Sequence, residues 1–385
     1  MPLAGKWIGM DLVRQEIVKS AKSIVVKVGS NVLTAEDGTL DRAHLAHLTE
    51  QIAEIKASGR EVALVSSGSI AAGIGRLGLP KRPTSLPELQ AAAAVGQAEL
   101  IDAYEATLRP RGFHAAQVLL TADDFDDRGR YLNTRNTLLQ LFRWNAIPII
   151  NENDTVSVEE IRFGDNDRLA AMVTNLLRAP LLIILSVVDG LYPTAEAAEQ
   201  GGAPIDKIMQ LDESIFAMAG TSTSGLGTGG MTTKLEAARL ATSSGESVWI
   251  AGGRRPNVLR DMLNAEPIGT VIPARGGTLA ARKRWIGHTV RPRGTFIVDE
   301  GAEMAVAQRG ASLLSVGVVE IRGRFEKGDV VAIEGPSGRS FARGLTNYSS
   351  EEARKIVRMP SDRLAEPLST ARYDAVIHRD NLVIL

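Results

Sequence analysis

The chain contains no cysteine, which excludes disulfides, thiolate metal sites and cysteine nucleophiles together. No apolar run reaches the roughly 18 residues that a membrane span needs. Lys6, Asp11, Arg14, Glu16 and Lys19 interrupt the first 22 residues, which therefore lack the unbroken core of a signal peptide. A cytoplasmic location without a membrane partner is the expectation from these missing signals. The formal net charge is only -1, too little for a protein that grips nucleic acid through its overall field. Histidine is scarce, with five residues. Only His44 and His47 lie close together, three apart on what reads as a polar, solvated helix face, so no histidine is assigned a catalytic task. No internal repeat or low-complexity tract is present.

What remains is the composition of a globular protein, 44% hydrophobic and 23% charged over 385 residues, long enough for two or three domains. Short β-branched runs at 24–28, 62–66, 115–119, 147–151, 181–186 and 247–251 read as strands. They alternate with helical patterns at 45–57, 86–108, 134–144, 168–178, 232–243 and 258–263. The run Leu181-Leu-Ile-Ile-Leu185 is apolar at every position, as a sheet covered by helices on both faces requires. The expected fold is α/β: a three-layer sandwich around a mainly parallel sheet. After about residue 281 the character changes to short strands at 295–298, 317–321, 330–334, 341–345 and 375–378, with helices at 302–309 and 351–357. The expected division is an extension at 1–21, an α/β domain at 22–280, a linker at 281–293 and a small β-rich domain at 294–380.

The stretch Ser222-Thr-Ser-Gly-Leu-Gly-Thr-Gly-Gly-Met-Thr-Thr-Lys234 is the richest in chemistry. Its glycines let backbone N–H groups approach an anion, the following helix adds its positive end, and Lys234 adds a full charge. The formal G-x-G-x-x-G matches at 225–230 and 73–78 each follow helical residues rather than a strand, and Walker A spacing fails because Lys234 does not adjoin Gly230. Taken alone, such a loop reads equally well as a flexible connection. A second lysine–glycine element, Lys27-Val-Gly29-Ser30, ends the first strand. Ser66, Ser67 and Ser69 surround Gly68 at the carboxyl end of the second strand, where ligands bind in parallel sheets, although one serine there does no more than cap a helix. Asn151-Glu-Asn-Asp154 and Gly164-Asp-Asn-Asp167 are the acidic and amide clusters. Asp154 follows a buried strand and suits an ammonium group; Asp165 or Asp167 also suits a helix N-terminus. No calcium-loop spacing occurs, and no side-chain metal site is expected.

These motifs, with Arg282-Lys-Arg-Trp-Ile286, stand in the order found in bacterial glutamate 5-kinases, and the chain resembles that family over about residues 22–380. The resemblance implies the amino-acid kinase fold followed by a PUA module, a small β-barrel-like domain. It implies transfer of the ATP γ-phosphoryl group to the side-chain carboxylate of L-glutamate, the first step of proline synthesis, with Mg²⁺ held mainly by the nucleotide. Other acid kinases of the same fold, acting on acetylglutamate, aspartate or carbamate, are the near alternatives. By the same resemblance Lys27, Lys234 and Asp167 are catalytic, Asp167 orienting the lysines. Ser67, Gly68, Asp154 and Asn166 receive glutamate. Lys27, Gly29, Ser186, Val187, Thr228, Gly229, Gly230, Met231, Thr232, Thr233 and Lys234 receive ATP. A homo-oligomer and feedback by proline are implied as well, with the segment 155–163 the expected place for proline. One departure stands out: Val187 occupies a position where the family commonly has aspartate, leaving backbone groups or Asp189 to make that contact. RNA binding by the second domain is disfavoured, since residues 291–385 hold fourteen Lys/Arg against thirteen Asp/Glu.

Overall fold

The computed structural model describes residues 11–156, 166–221, 230–274, 286, 290–360, 363 and 375–385. The chain forms two compact units, residues 1–277 and 278–385. The expected glycine loop 222–229, with Thr228 and Gly229, lies outside the described residues, as do Asp165, most of the segment 155–163 and most of the linker.

In the first unit seven strands build one sheet in the order β3-β4-β2-β1-β5-β6-β7. They are β1 (Ser23–Val28), β2 (Glu61–Ser66), β3 (His114–Leu120), β4 (Ala146–Glu152), β5 (Leu181–Ser186), β6 (Ser247–Gly252) and β7 (Thr270–Ile272). All pairings are parallel except β6 with β7. Residues Leu181 to Leu185 of β5 are fully buried, which accounts for their unbroken apolar run. The chain leaves β1 toward β2 and later returns on its other side as β5, so the strand order reverses at the β1–β5 boundary. That boundary, at the carboxyl ends of the strands, is where open α/β sheets bind ligands.

Among the described residues the helices are α1 (Leu12–Ser20), the single turn α2 (Ser30–Leu33), α3 (Arg42–Ala57), α4 (Ser69–Leu77), α5 (Leu86–Leu108), the single turn α6 (Asp123–Asp126), α7 (Arg128–Arg143), α8 (Asp167–Leu177), α9 (Ala195–Glu199), α10 (Glu213–Thr221), α11 (Met231–Ser243) and α12 (Val258–Leu263). Side chains alternate across a strand. Ile24, Val26 and Val28 of β1 therefore join the core that also holds Leu45, Leu48 and Ile52 of α3, Leu100 and Tyr104 of α5, and Val258 of α12. Val25 and Lys27 face the other way, toward the layer formed by α7, α8 and α11.

Three features were not anticipated. The α1 helix belongs to the first unit: Ile17 and Val18 enter its core. Arg14, fully buried, pairs with Asp11 and with Asp206 at 2.7 Å, lies 5.2 Å over the Trp249 ring and donates to the carbonyls of Asp206, Ile268 and Gly269. Residues 73–77, five of the six positions of a formal dinucleotide pattern, sit inside α4, which ends at Gly78 with φ +62°. There Gly73 and Gly96 allow close helix contact: a Cβ on Gly73 would lie 1.9 Å from the Ala92 carbonyl oxygen, and one on Gly96 1.8 Å from that of Ser69. His44 is half-buried rather than solvated, bonds the Gly253 carbonyl at 3.0 Å, and is shifted to lower pKa by burial and by the charge of Arg254.

The second unit carries a five-stranded sheet in the order β12-β11-β10-β8-β9, formed by β8 (Gly294–Val298), β9 (Val318–Gly323), β10 (Val330–Glu334), β11 (Ser340–Leu345) and β12 (Leu382–Ile384). Only β8 and β10 run parallel. Helices α13 (Glu300–Arg309) and α14 (Ser350–Lys355) accompany it, and α14 opens with a capping box of Ser349 and Glu352. Phe296 and Phe325 meet edge to face at 5.4 Å in its core. The strand expected at 375–378 does not form. Its backbone is engaged elsewhere, Val376 N–H donating to Leu313 and its carbonyl accepting from Asn347 N–H, and Leu382–Ile384 takes the edge position instead.

Candidate active site

The reversal in strand order leaves the end of β1 flanked by β2 and β5, and Lys27 stands there beside Val65 and Ile184. Its side chain is 4% exposed and its Nζ lies 2.6 Å from Asp167 Oδ1. The other oxygen of the same carboxylate is 3.0 Å from Lys234 Nζ, on a side chain 6% exposed. Residues 207 positions apart in sequence thus share one fully buried carboxylate. Two ammonium groups brought onto one carboxylate concentrate positive charge at this point, which suits an anionic ligand. Thr233 Oγ1, with one hydrogen to give, has two alternative acceptors, the Gly230 carbonyl at 2.8 Å and Asp167 Oδ2 at 3.3 Å.

Helix geometry reinforces that charge. Asp167 is the first residue of α8, and Lys234 lies in the first turn of α11, which starts after Gly230. Both helices bring the positive end of the dipole to the lysine cluster. Met231 and Thr233 are half-buried, whereas Gly230 and Thr232 are exposed. Gly29 closes the floor: its N–H donates to the Leu185 carbonyl at 3.2 Å, and a Cβ there would sit 3.6 Å from Lys27 Nζ. Ser186 ends β5 buried, and Val187 next to it is 44% exposed. Asp189 lies against the backbone of Gly252, where a Cβ would come within 2.0 Å of its Oδ1.

A second cluster adjoins the first through Asn166, the residue before Asp167. Asn166 Nδ2 donates to Ser67 Oγ at 2.9 Å and to Asn151 Oδ1 at 2.8 Å. Asn151 Nδ2 donates in turn to Gln97 Oε1 at 3.0 Å. Gly68, with φ +108°, turns the chain from β2 into α4, a conformation that favours glycine. The next residue, Ser69, donates to Asp154 Oδ2 at 3.0 Å. Burial lifts the Asp154 carboxyl to about 6 against the lowering effect of that bond, and the charge of Glu152 adds to the rise. A largely buried carboxylate so raised gains from a cationic partner. Asn166 and Asp167 therefore join the two clusters across one helix N-terminus.

Of the expected residues, Lys27, Asp167 and Lys234 meet directly, Ser67 and Asn166 are bonded, and Gly68 and Asp154 are tied through Ser69. Ser69 and Asn151 stand in motifs noted from the sequence but were given no role of their own, and Gln97 was not singled out. A polar residue within the α5 stripe of Leu89, Ala93, Leu100 and Tyr104 was the available signal for Gln97. Among the described residues no group of three or more His, Asp or Glu is placed to hold a metal ion, and no helix is long and apolar enough to cross a membrane.

Comparison with known proteins follows the same division. Residues 22–252 match the amino acid kinase family and residues 294–368 match the PUA domain. Glutamate 5-kinase of Nitrosospira multiformis is 48% identical over 96% of this chain and 100% of its own length. That of Bordetella petrii is 47% identical over 97% and 99%, and that of Methylococcus capsulatus 47% over 94% and 97%. Among solved structures, UMP kinase from Bacillus anthracis aligns with 67% of this chain and 98% of its own at a TM-score of 0.43 and 13% identity. An amino acid kinase domain with a paired-lysine cluster at the sheet switch point, followed by a PUA domain, places the chain in the glutamate 5-kinase family.

Proposed function

We propose that Lys27 and Lys234, held on Asp167, bracket the γ-phosphoryl group as it passes from ATP to the side-chain carboxylate of L-glutamate, forming L-glutamyl 5-phosphate at the first step of proline synthesis. The observation that carries this assignment is the single buried carboxylate shared by both lysines at 2.6 and 3.0 Å. A carboxylate acceptor is already ionised at neutral pH, so no general base is required. The barrier lies in joining two anions, and positive charge fixed in place lowers it. Asp167 keeps the two ammonium groups apart and oriented until substrate oxygens take them over. Gly29 leaves room above the sheet edge for phosphate, and the N-terminal turn of α11, from Gly230 through Thr233, offers donors to the nucleotide. Mg²⁺ enters with ATP, liganded chiefly by phosphate oxygens and water.

Glutamate is received by the adjoining cluster. Asp154 pairs with the α-ammonium group, and Ser67, accepting from Asn166, keeps its own hydroxyl hydrogen for the α-carboxylate. The carboxylate of the substrate side chain then points toward the lysines. We place this activity in the cytoplasm, and treat proline inhibition and self-association as further consequences of family membership.

The test is ATP-dependent hydroxamate formation by the full chain with L-glutamate, acetylglutamate and aspartate in parallel, with and without proline. L-glutamate is expected to be preferred, and Lys234→Ala to lower kcat by about a thousandfold. Equal turnover of all three acids, or near-normal turnover by the variant, contradicts the assignment.

A further inference from the structure

The hydrogen bonds behind Asn166 have a polarity that a backbone group dictates. Glu152 N–H donates to Asn151 Oδ1 at 2.9 Å, and because a main-chain N–H only donates, that side-chain atom is the acceptor. Asn151 Nδ2 is then the donor toward Gln97 Oε1, and Asn166 Nδ2 spends both hydrogens, on Asn151 and on Ser67. Two buried atoms are left over: among the described residues Asn166 Oδ1 and Gln97 Nε2 have no hydrogen-bond partner. Asn166 is fully buried and Gln97 is 7% exposed. A buried amide oxygen without a partner is costly; Asn166 is bonded to Ser67 and Asp154 to Ser69, the serines on either side of Gly68, so this oxygen and the Asp154 carboxyl border the same turn and together can receive one cation.

The geometry points to Gln97 as a positioning residue for recognition of the substrate's α-ammonium group. By accepting from Asn151 Nδ2, Gln97 holds the two asparagine amides in the orientation that leaves Asn166 with an oxygen rather than an NH₂ for the ligand. Gln97 has no contact with the phosphoryl cluster in this scheme and acts only through Asn151 and Asn166. Its neighbour Gly96 makes the arrangement possible, since any side chain at 96 would collide with the Ser69 carbonyl and move α5 away. This inference rests on the assignment of Asp154, Asn166 and Ser67 to glutamate binding.

The experiment compares L-glutamate with glutarate, the same five-carbon diacid without the ammonium group, by hydroxamate formation in the full-length protein. Gln97→Met removes the acceptor at similar volume, and Gln97→Asn withdraws the amide by one methylene. Gln97→Glu keeps an oxygen toward Asn151. In the Met and Asn variants KM for L-glutamate is expected to rise about tenfold, with kcat and KM for ATP within about twofold and kcat/KM for glutarate unchanged. Gln97→Glu restores most of the loss. If either folded variant keeps the parent's preference for L-glutamate over glutarate, or loses both substrates equally, the role of Gln97 is refuted. A parent enzyme without that preference instead removes the underlying assignment of the ammonium site.

Discussion

Replacing Asp167 by asparagine keeps the shape of the site and deletes the charge on which it is built. Asp167 is fully buried, and the side chains of Lys27 and Lys234 are 4% and 6% exposed, so neither ammonium group gains bulk water in exchange. Removing one member of a buried ionic cluster typically costs about 3–5 kcal/mol. At about 2–4 °C per kcal/mol, the melting temperature should fall by roughly 6–20 °C. Part of that loss is mutual repulsion, which for two unit charges about 5–8 Å apart at an effective dielectric near 20 is about 2–3 kcal/mol. Two consequences separate this cause from simple misfolding. Millimolar inorganic phosphate should raise the melting temperature of Asp167→Asn more than that of the parent, because an anion replaces the missing carboxylate. The double variant Asp167→Asn with Lys234→Met should regain part of the stability while remaining inactive. Thermal scans with and without phosphate, together with the hydroxamate assay, read all of this. An Asp167→Asn protein as stable as the parent and indifferent to phosphate would refute the reasoning.

The remaining expectations concern other parts of the first unit. Asp154, lifted to about 6, must be ionised to hold an ammonium group, so kcat/KM for glutamate should be flat above pH 7 and fall about tenfold per unit well below pH 6. In Asp154→Asn that limb should vanish from the pH profile, at a much lower plateau. Gly96→Ala places a methyl group 1.8 Å from the Ser69 carbonyl oxygen; it should cost about 1–3 kcal/mol in denaturant unfolding and raise KM for glutamate, because Ser69 holds Asp154. Arg14→Met withdraws the buried guanidinium from Asp206 and three carbonyls, and should lower stability by about 2–3 kcal/mol while leaving kcat unchanged, as paired melting and steady-state measurements would show.

Much of the paired-lysine cluster was legible because each lysine has a local signature in the sequence. Lys27 interrupts an otherwise apolar strand just before Gly29, and Lys234 follows a run of glycines into a helix; each is an expensive residue in its setting. The all-apolar β5 likewise announced a doubly covered sheet. What sequence reading missed depends on contacts between distant segments. Gln97 looks like one polar residue in an alanine-rich helix until β4 brings Asn151 to it. Arg14 is only one of the charges that break up the first 22 residues until Asp206 and Trp249 enclose it. The three-residue β7 and β12 are too short for a periodic signal, and the β-branched run near 375–378 loses its strand pairing to backbone contacts with Leu313 and Asn347. His44 is the same case in reverse, a helix-face histidine that the Gly253 carbonyl covers.

The most direct measurement is a crystal structure of the full chain with MgADP, tetrafluoroaluminate and L-glutamate, which imitates the phosphoryl group in flight. Both Lys27 Nζ and Lys234 Nζ should lie within about 3 Å of the fluoride or bridging oxygen atoms, with the glutamate ammonium between Asp154 and Asn166 Oδ1. A complex in which the aluminium fluoride binds away from Asp167 and only one lysine, or neither, reaches it would contradict the two-lysine mechanism.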